Sequence, residues 1–105
     1  MDSILYTIKK MLGLEPDYRA FDAELTVFIN NAFVILEQLG VGAEGFGISG
    51  EIETWDQFLA DPTKLESAKT YVYIRTRLMF DPPSNSNLTK VLEDTARELE
   101  WRLQS

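Results

Sequence analysis

The sequence predicts an all-α fold: a small bundle of about four helices plus one short helix, with a long Gly-rich acidic loop. Three observations carry this reading. Four stretches place apolar residues at the 3.6-residue spacing of an amphipathic helix. Helix-stopping residues (Gly13 with Pro16, Gly40, and Asp81-Pro82-Pro83) fall at the ends of the first three. No alternation of apolar and polar residues persists long enough for a strand. The 105 residues suit one domain, 1–105, and 45% apolar content excludes a wholly disordered chain.

The first helix is expected over Ser3 to Leu12, with Ile4, Leu5, Ile8, Met11 and Leu12 as its stripe. Asp2 or Ser3 can cap it, and Lys9 and Lys10 complement the dipole of its last turn. Gly13 supplies the positive φ of a C-cap, Leu14 can fold back on the stripe, and Pro16 blocks continuation. The second stripe is the clearest: Phe21, Leu25, Phe28, Ile29, Ala32, Leu36 and Leu39, ended by Gly40. Val27, Phe33, Val34 and Ile35 widen it beyond the needs of one neighbour. That helix is therefore either central or partly engaged with another subunit.

From Val41 to Glu53 the chain carries Gly42, Gly45, Gly47 and Gly50, a spacing that opposes regular structure. A flexible loop anchored by Phe46 and Ile48 is expected. Phosphate binding is disfavoured, because no Lys-Ser/Thr follows and Glu44, Glu51 and Glu53 would repel the anion. Thr54 and Gln57 have the spacing of a capping box for a short helix reaching Ala60. Asp61-Pro62 restarts a helix. On it Leu65, Ala68, Val72 and Met79 share a face, with Tyr71, Ile74 and Leu78 beside them. Ser86 or Asn87 can cap a last helix, Leu88 to about Leu103. Leu88, Val91, Leu92, Thr95, Leu99 and Leu103 form its stripe, and Glu93–Arg97 and Glu98–Arg102 are i,i+4 pairs.

The formal charge is −7, and its distribution is uneven. Residues 15–66 balance at −9, whereas 1–14 and 67–105 are each +1. So acidic a chain should not hold DNA by counterion release, and no sequence-specific nucleic-acid binding is expected. Lys69, Arg75 and Arg77, beside Tyr71 and Tyr73, are expected to pair with the acidic middle rather than bind single strands. There is no histidine and no cysteine. Disulfides, thiolate metal sites and His-dependent nucleophilic catalysis are excluded, and a reducing compartment fits. Glu51 with Glu53, and Glu98 with Glu100, are too close in sequence to share a helix face, and no calcium-loop pattern occurs. No enzyme, cofactor or metal is expected. No apolar run could span a bilayer, and no signal peptide is read at the N-terminus.

The stretches Phe21-Asp22-Ala23-Glu24-Leu25, Leu39-Gly40-Val41-Gly42, Trp55-Asp56-Gln57-Phe58-Leu59, Tyr71-Val72-Tyr73-Ile74-Arg75-Thr76-Arg77 and Phe80-Asp81-Pro82-Pro83-Ser84 occur in this order, before a helix ending Glu98-Leu99-Glu100-Trp101-Arg102-Leu103. The pattern resembles the small head–tail connector, or adaptor, proteins of long-tailed bacteriophages and prophages, over nearly the whole chain. The resemblance implies a helical structural protein of the virion with no catalytic residue to carry over. It implies a homo-oligomeric ring, typically twelve-fold, beneath the portal protein, extending the DNA channel and docking a stopper or tail-completion protein. Such rings can assemble only on the portal, so a monomer in isolation is compatible with this. The protein would reside at the head–tail joint, and in the bacterial host cytoplasm during assembly. On this reading Leu99, Trp101 and Leu103 are expected to dock the portal. Glu44, Glu51 and Glu53 are expected to line the channel. Val27, Phe33, Val34, Arg75 and Arg77 are expected at the subunit interface. The competing reading is a small acidic intracellular binding module, a phage-encoded inhibitor of a host protein.

Overall fold

The computed structural model of the protein describes residues 3–104. Its helices are α1 (Ile4–Met11), α2 (Asp22–Gln38), the four-residue α3 (Trp55–Phe58), α4 (Pro62–Phe80) and α5 (Ser86–Gln104). Among the described residues there is no β-strand. One isolated antiparallel bridge joins Ser3 to Thr54.

The helix ends follow from local chemistry. The Ser3 hydroxyl accepts from the Tyr6 amide at 3.3 Å; Asp2, the other expected cap, lies outside the described residues. Both α1 and α2 close in Schellman motifs. The Leu14 amide donates to the Lys9 carbonyl at 2.8 Å and the Val41 amide to the Leu36 carbonyl at 2.9 Å. The glycines between, Gly13 and Gly40, have φ of 84° and 78°, where a side chain would be strained. In α3 the expected capping box forms between Thr54 and Gln57, the Gln57 side chain accepting from the Thr54 amide at 3.0 Å, and the Thr54 hydroxyl also donates to Asp56. Asp61 caps α4 through the amides of Thr63 and Lys64. The cap of α5 is Asn85, which accepts from the amides of Asn87 and Leu88, rather than Ser86 or Asn87. Ser84 to Asn87 are four capping residue types in a row, so sequence alone does not single out one of them.

The hub is α4, not α2. α1, α2 and α5 all pack on α4, whereas α2 and α5 have no comparable contact with each other. α4 therefore buries Ala68, Tyr71, Val72, Ile74 and Thr76 around much of its circumference. Met79, expected on its core face, lies at the end of the helix and is exposed. α2 buries Leu25, Ile29, Ala32, Phe33 and Leu36 along one side. The core continues into an aromatic cluster in which Phe33 meets Phe46, Trp55 and Phe58 with ring centroids 4.7–6.2 Å apart. α5 is held more lightly. It buries only Ala96 and Leu103, and the Tyr71 hydroxyl, buried in α4, donates to Glu100 at 2.7 Å. Of the expected stripe Leu103 is buried and Leu92 and Leu99 rest partly buried against the core, whereas Leu88 and Val91 remain exposed. The whole is a slab, 34 × 33 × 19 Å.

Candidate functional site

The segment Val41–Glu53 is the densest concentration of acid and glycine, and it is tied down along its length. Val41, Ile48 and, in part, Phe46 enter the core, so the expected anchors hold. The Asn30 side chain brackets Ile48, accepting from its amide at 2.7 Å and donating to its carbonyl at 2.9 Å. Glu37 accepts from the Gly45 amide, and the Ala43 amide donates to the Phe58 carbonyl. Gly42 is required twice over: its φ is 83°, and a Cβ there would collide with the Phe58 ring. These bonds tie the segment to α2 and α3 at several points along its length.

The end of the segment is held by its carboxylates. Glu51 accepts from Arg19 at 2.6 Å and from the Tyr6 hydroxyl at 2.8 Å, and Arg19 also donates to that hydroxyl at 3.2 Å. The Arg19 and Tyr6 hydrogen bonds hold the Glu51 carboxyl below its ordinary range, and the same contacts raise Arg19. Glu53 accepts from the Ser49 hydroxyl at 2.7 Å and from the Ser49 and Gly50 amides. Burial pushes its carboxyl up, but the bonds from Ser49 and the backbone outweigh this and lower it. Asp22 links this cluster to α1: its Oδ1 lies 2.8 Å from Lys9 Nζ, and its Oδ2 3.5 Å from Arg19. The Lys9 side chain is fully buried and also donates to the Pro16 carbonyl at 2.9 Å. Beside the cluster an open cleft of about 480 Å³ is lined by Leu5, Arg19, Asp22, Thr26, Ser49 and Glu51. Its charges already satisfy one another. That suits a strap between α1, α2 and the loop better than a ligand site. Among the described residues no group of three or more acidic side chains could hold a metal ion, and no helix is long and apolar enough to cross a membrane.

The residues singled out from sequence scatter over the surface and the core. Glu44 is exposed on a turn of the loop, whereas Glu51 and Glu53 are half-buried and bonded as above. Val27 and Val34 are exposed on the outer side of α2, at 58% and 51%. Phe33 is a correction: it is buried at the centre of the aromatic cluster and offers no surface to a second subunit. Arg75 and Arg77 do not form one patch, because two positions along a helix point to different sides. Arg77 donates to Tyr73 at 3.2 Å, while the charge of Arg75 is felt by Tyr71 on the α5 side. Among the described residues neither arginine has a carboxylate at ion-pair distance, so the expected pairing with the acidic middle does not form there. Lys69 pairs within its own helix with Glu66. Arg97 likewise takes Asp94 at 2.6 Å instead of Glu93, whereas Glu98–Arg102 forms as expected. Of the expected docking residues Trp101 is 73% exposed and Leu99 is half-buried. Leu103 is buried in the bundle, a second correction to a surface role.

Two features were missed in the sequence. Ile52 is 76% exposed, held out between the two bonded carboxylates Glu51 and Glu53. An isolated isoleucine between acids carries no periodic signal. Lys9, expected only to complement the dipole of the last turn, is instead buried and paired. Its position four residues after Leu5 places it on the apolar stripe, and that was the available signal.

The family model described as phage connector protein matches residues 4–105, and so spans all five helices. No curated protein and no solved structure matches the chain significantly.

Proposed function

The chain belongs to the phage connector protein family, and on that premise we propose that it is a structural head–tail connector that forms a ring under the portal. The ring extends the DNA channel and presents a docking surface to a stopper or tail-completion protein. The observation that carries this is the match itself, which covers every helix rather than one motif. The fold is compatible with it: a helical slab whose exposed apolar side chains sit on several sides supplies the separate faces that a closed ring requires.

Within this reading Trp101 is the anchor toward the portal, with Leu99 beside it, since large exposed aromatics commonly carry interface energy. Leu103 supports that end of α5 from within. Glu44 is the carboxylate best suited to face the channel. Glu53, whose partners are neutral, adds negative potential from a fixed position, whereas Glu51 is offset by Arg19 and adds little, so that DNA passes a surface that does not retain it. Val27 and Val34 serve the contact between subunits.

The test is deletion of the gene in its phage or prophage, followed by electron microscopy of the lysate. Separate heads and otherwise complete tails are expected, with joining restored by the gene in trans. Intact, infectious virions without the protein would overturn the connector reading and favour an inhibitor of a host protein.

A further inference from the structure

A second open cleft, of about 420 Å³, lies where the loop meets α1, lined by Ser3, Tyr6, Glu51, Ile52 and Thr54. Ile52 forms one wall, and at 76% exposure it is the most exposed large apolar side chain among the described residues. Its backbone is fixed. Glu51 before it is held by Arg19 and Tyr6, Glu53 after it by Ser49, and the Ile4 amide donates to the Glu53 carbonyl at 3.0 Å. An apolar wall already held in place loses little freedom when something packs on it. The Thr54 hydroxyl donates to Asp56 at 2.6 Å, so an exposed carboxylate stands beside the opening. Among the described residues Asp56 has no cation at ion-pair distance.

The matching pair of groups sits on α4. Met79 is 49% exposed near the end of that helix. Arg75 lies one turn earlier on the same side, half-buried and with no carboxylate at ion-pair distance among the described residues. Neither residue lines the cleft. Arg75 faces Tyr71 on the α5 side, whereas the cleft lies at α1, and α1 and α5 have no comparable contact. Resting on the ring reading above, we infer that Met79 of one copy seats in the Ile52–Tyr6 cleft of the next, with Arg75 reaching Asp56. An unbranched methionine suits an irregular apolar gap. The charges agree as well, since an unpaired guanidinium meets an unpaired carboxylate. Two Ile52 loops brought together would instead oppose acid to acid. The contact joins two different faces, so it repeats from copy to copy until it closes. One side chain in a cleft buries far less than the roughly 800 Å² per partner of a stable interface. This contact therefore sets the register between copies, while broader surfaces of the ring supply the area.

The natural chain has no cysteine, so thiols introduced into it are the only ones it carries. The gene-deleted phage is complemented with Ile52→Cys, Met79→Cys or both, and joined particles are oxidised and run on a non-reducing gel. The double variant is expected to give a ladder of multiples of the chain, and neither single variant any cross-link. Joined particles from the double variant that show no ladder would overturn the pairing. So would dimers from Ile52→Cys alone, which mean a two-fold contact, or a disulfide from that variant to a different virion protein. Charge exchange gives a second reading, and it decides if the double cysteine variant does not join. Asp56→Arg and Arg75→Asp should each reduce joined particles at least tenfold, and the combination should recover most of the loss. A combination no better than the single variants would overturn the pairing. If particles join without the gene at all, the connector reading fails and the pairing falls with it. That result is distinct from a missing ladder in joined particles that contain the protein.

Discussion

Lys9 and Glu51 show how individual charges hold the loop-bearing end of the molecule. A buried ammonium is tolerated only when it is paired and hydrogen-bonded, and Lys9 has Asp22 and the Pro16 carbonyl. Asp22 keeps some exposure, which places the cost of removing Lys9 at the low end for such pairs. Lys9→Ala should destabilise the protein by about 3 kcal/mol in chemical denaturation, and Lys9→Met with Asp22→Leu should recover most of that. A loss below about 0.5 kcal/mol for Lys9→Ala would mean that the pair is not holding α1 to α2. Glu51 makes a prediction in pH. Its carboxyl is lower in the folded protein than its ordinary value of 4.5, because Arg19 and then Tyr6 hydrogen-bond its charged form. The stability it contributes is therefore present above about pH 4.5 and is lost as pH falls below that, through the folded value. Melting temperature followed from pH 7 to 3 should drop less steeply for Glu51→Gln than for the natural chain. Parallel acid limbs for the two proteins would contradict the strap.

Among the elements, α2 gives the sharpest contrast between core and surface. Phe33 and Val34 are adjacent, yet one is enclosed by three aromatic rings and the other meets solvent. Phe33→Ala should cost about 3–5 kcal/mol, as truncation of an enclosed aromatic does. Val27→Ser and Val34→Ser should stay within about 0.5 kcal/mol of the natural protein. A large loss in both valine variants would place them in the protomer's own core and remove them from the contact between subunits. The helices themselves were legible in the sequence, because their stripes and stops are local. Gly13 and Gly40, Asp61-Pro62, and the Thr54–Gln57 spacing each mark an end that the backbone requires. Which stripe would be covered was not legible. Leu88 and Val91 have the same periodicity as Leu99 and Leu103, yet the first two are exposed and the last two packed on the bundle, a difference set by tertiary contacts rather than by spacing. The same holds for Phe33, which widens a stripe in sequence but finds a pocket made by Phe46, Trp55 and Phe58 from far along the chain.

For the whole molecule, the charge asymmetry read from sequence proved only partly a surface property. Several acids of the middle segment are consumed internally: Asp22 by Lys9, Glu51 by Arg19 and Tyr6, Glu53 by Ser49, Asp61 as a cap. Composition counts these carboxylates but cannot say which are already bonded. The candidate site was accordingly less legible than the fold. Trp101 and the two valines of α2 stood out by residue type, whereas Ile52 and Lys9 acquire their roles only once the loop has closed over α1.

The attachment of α5 has a mechanical consequence. Its first turn is tethered beside α4, where the Thr89 hydroxyl donates to the Pro83 carbonyl, and Leu92 rests on the core. Its other end is fixed by Ala96, Leu103 and the Tyr71–Glu100 bond. A rod pinned near both ends resists swinging, so the exposed Val91 and Trp101, ten residues apart, are presented as a pair about 15 Å apart along it.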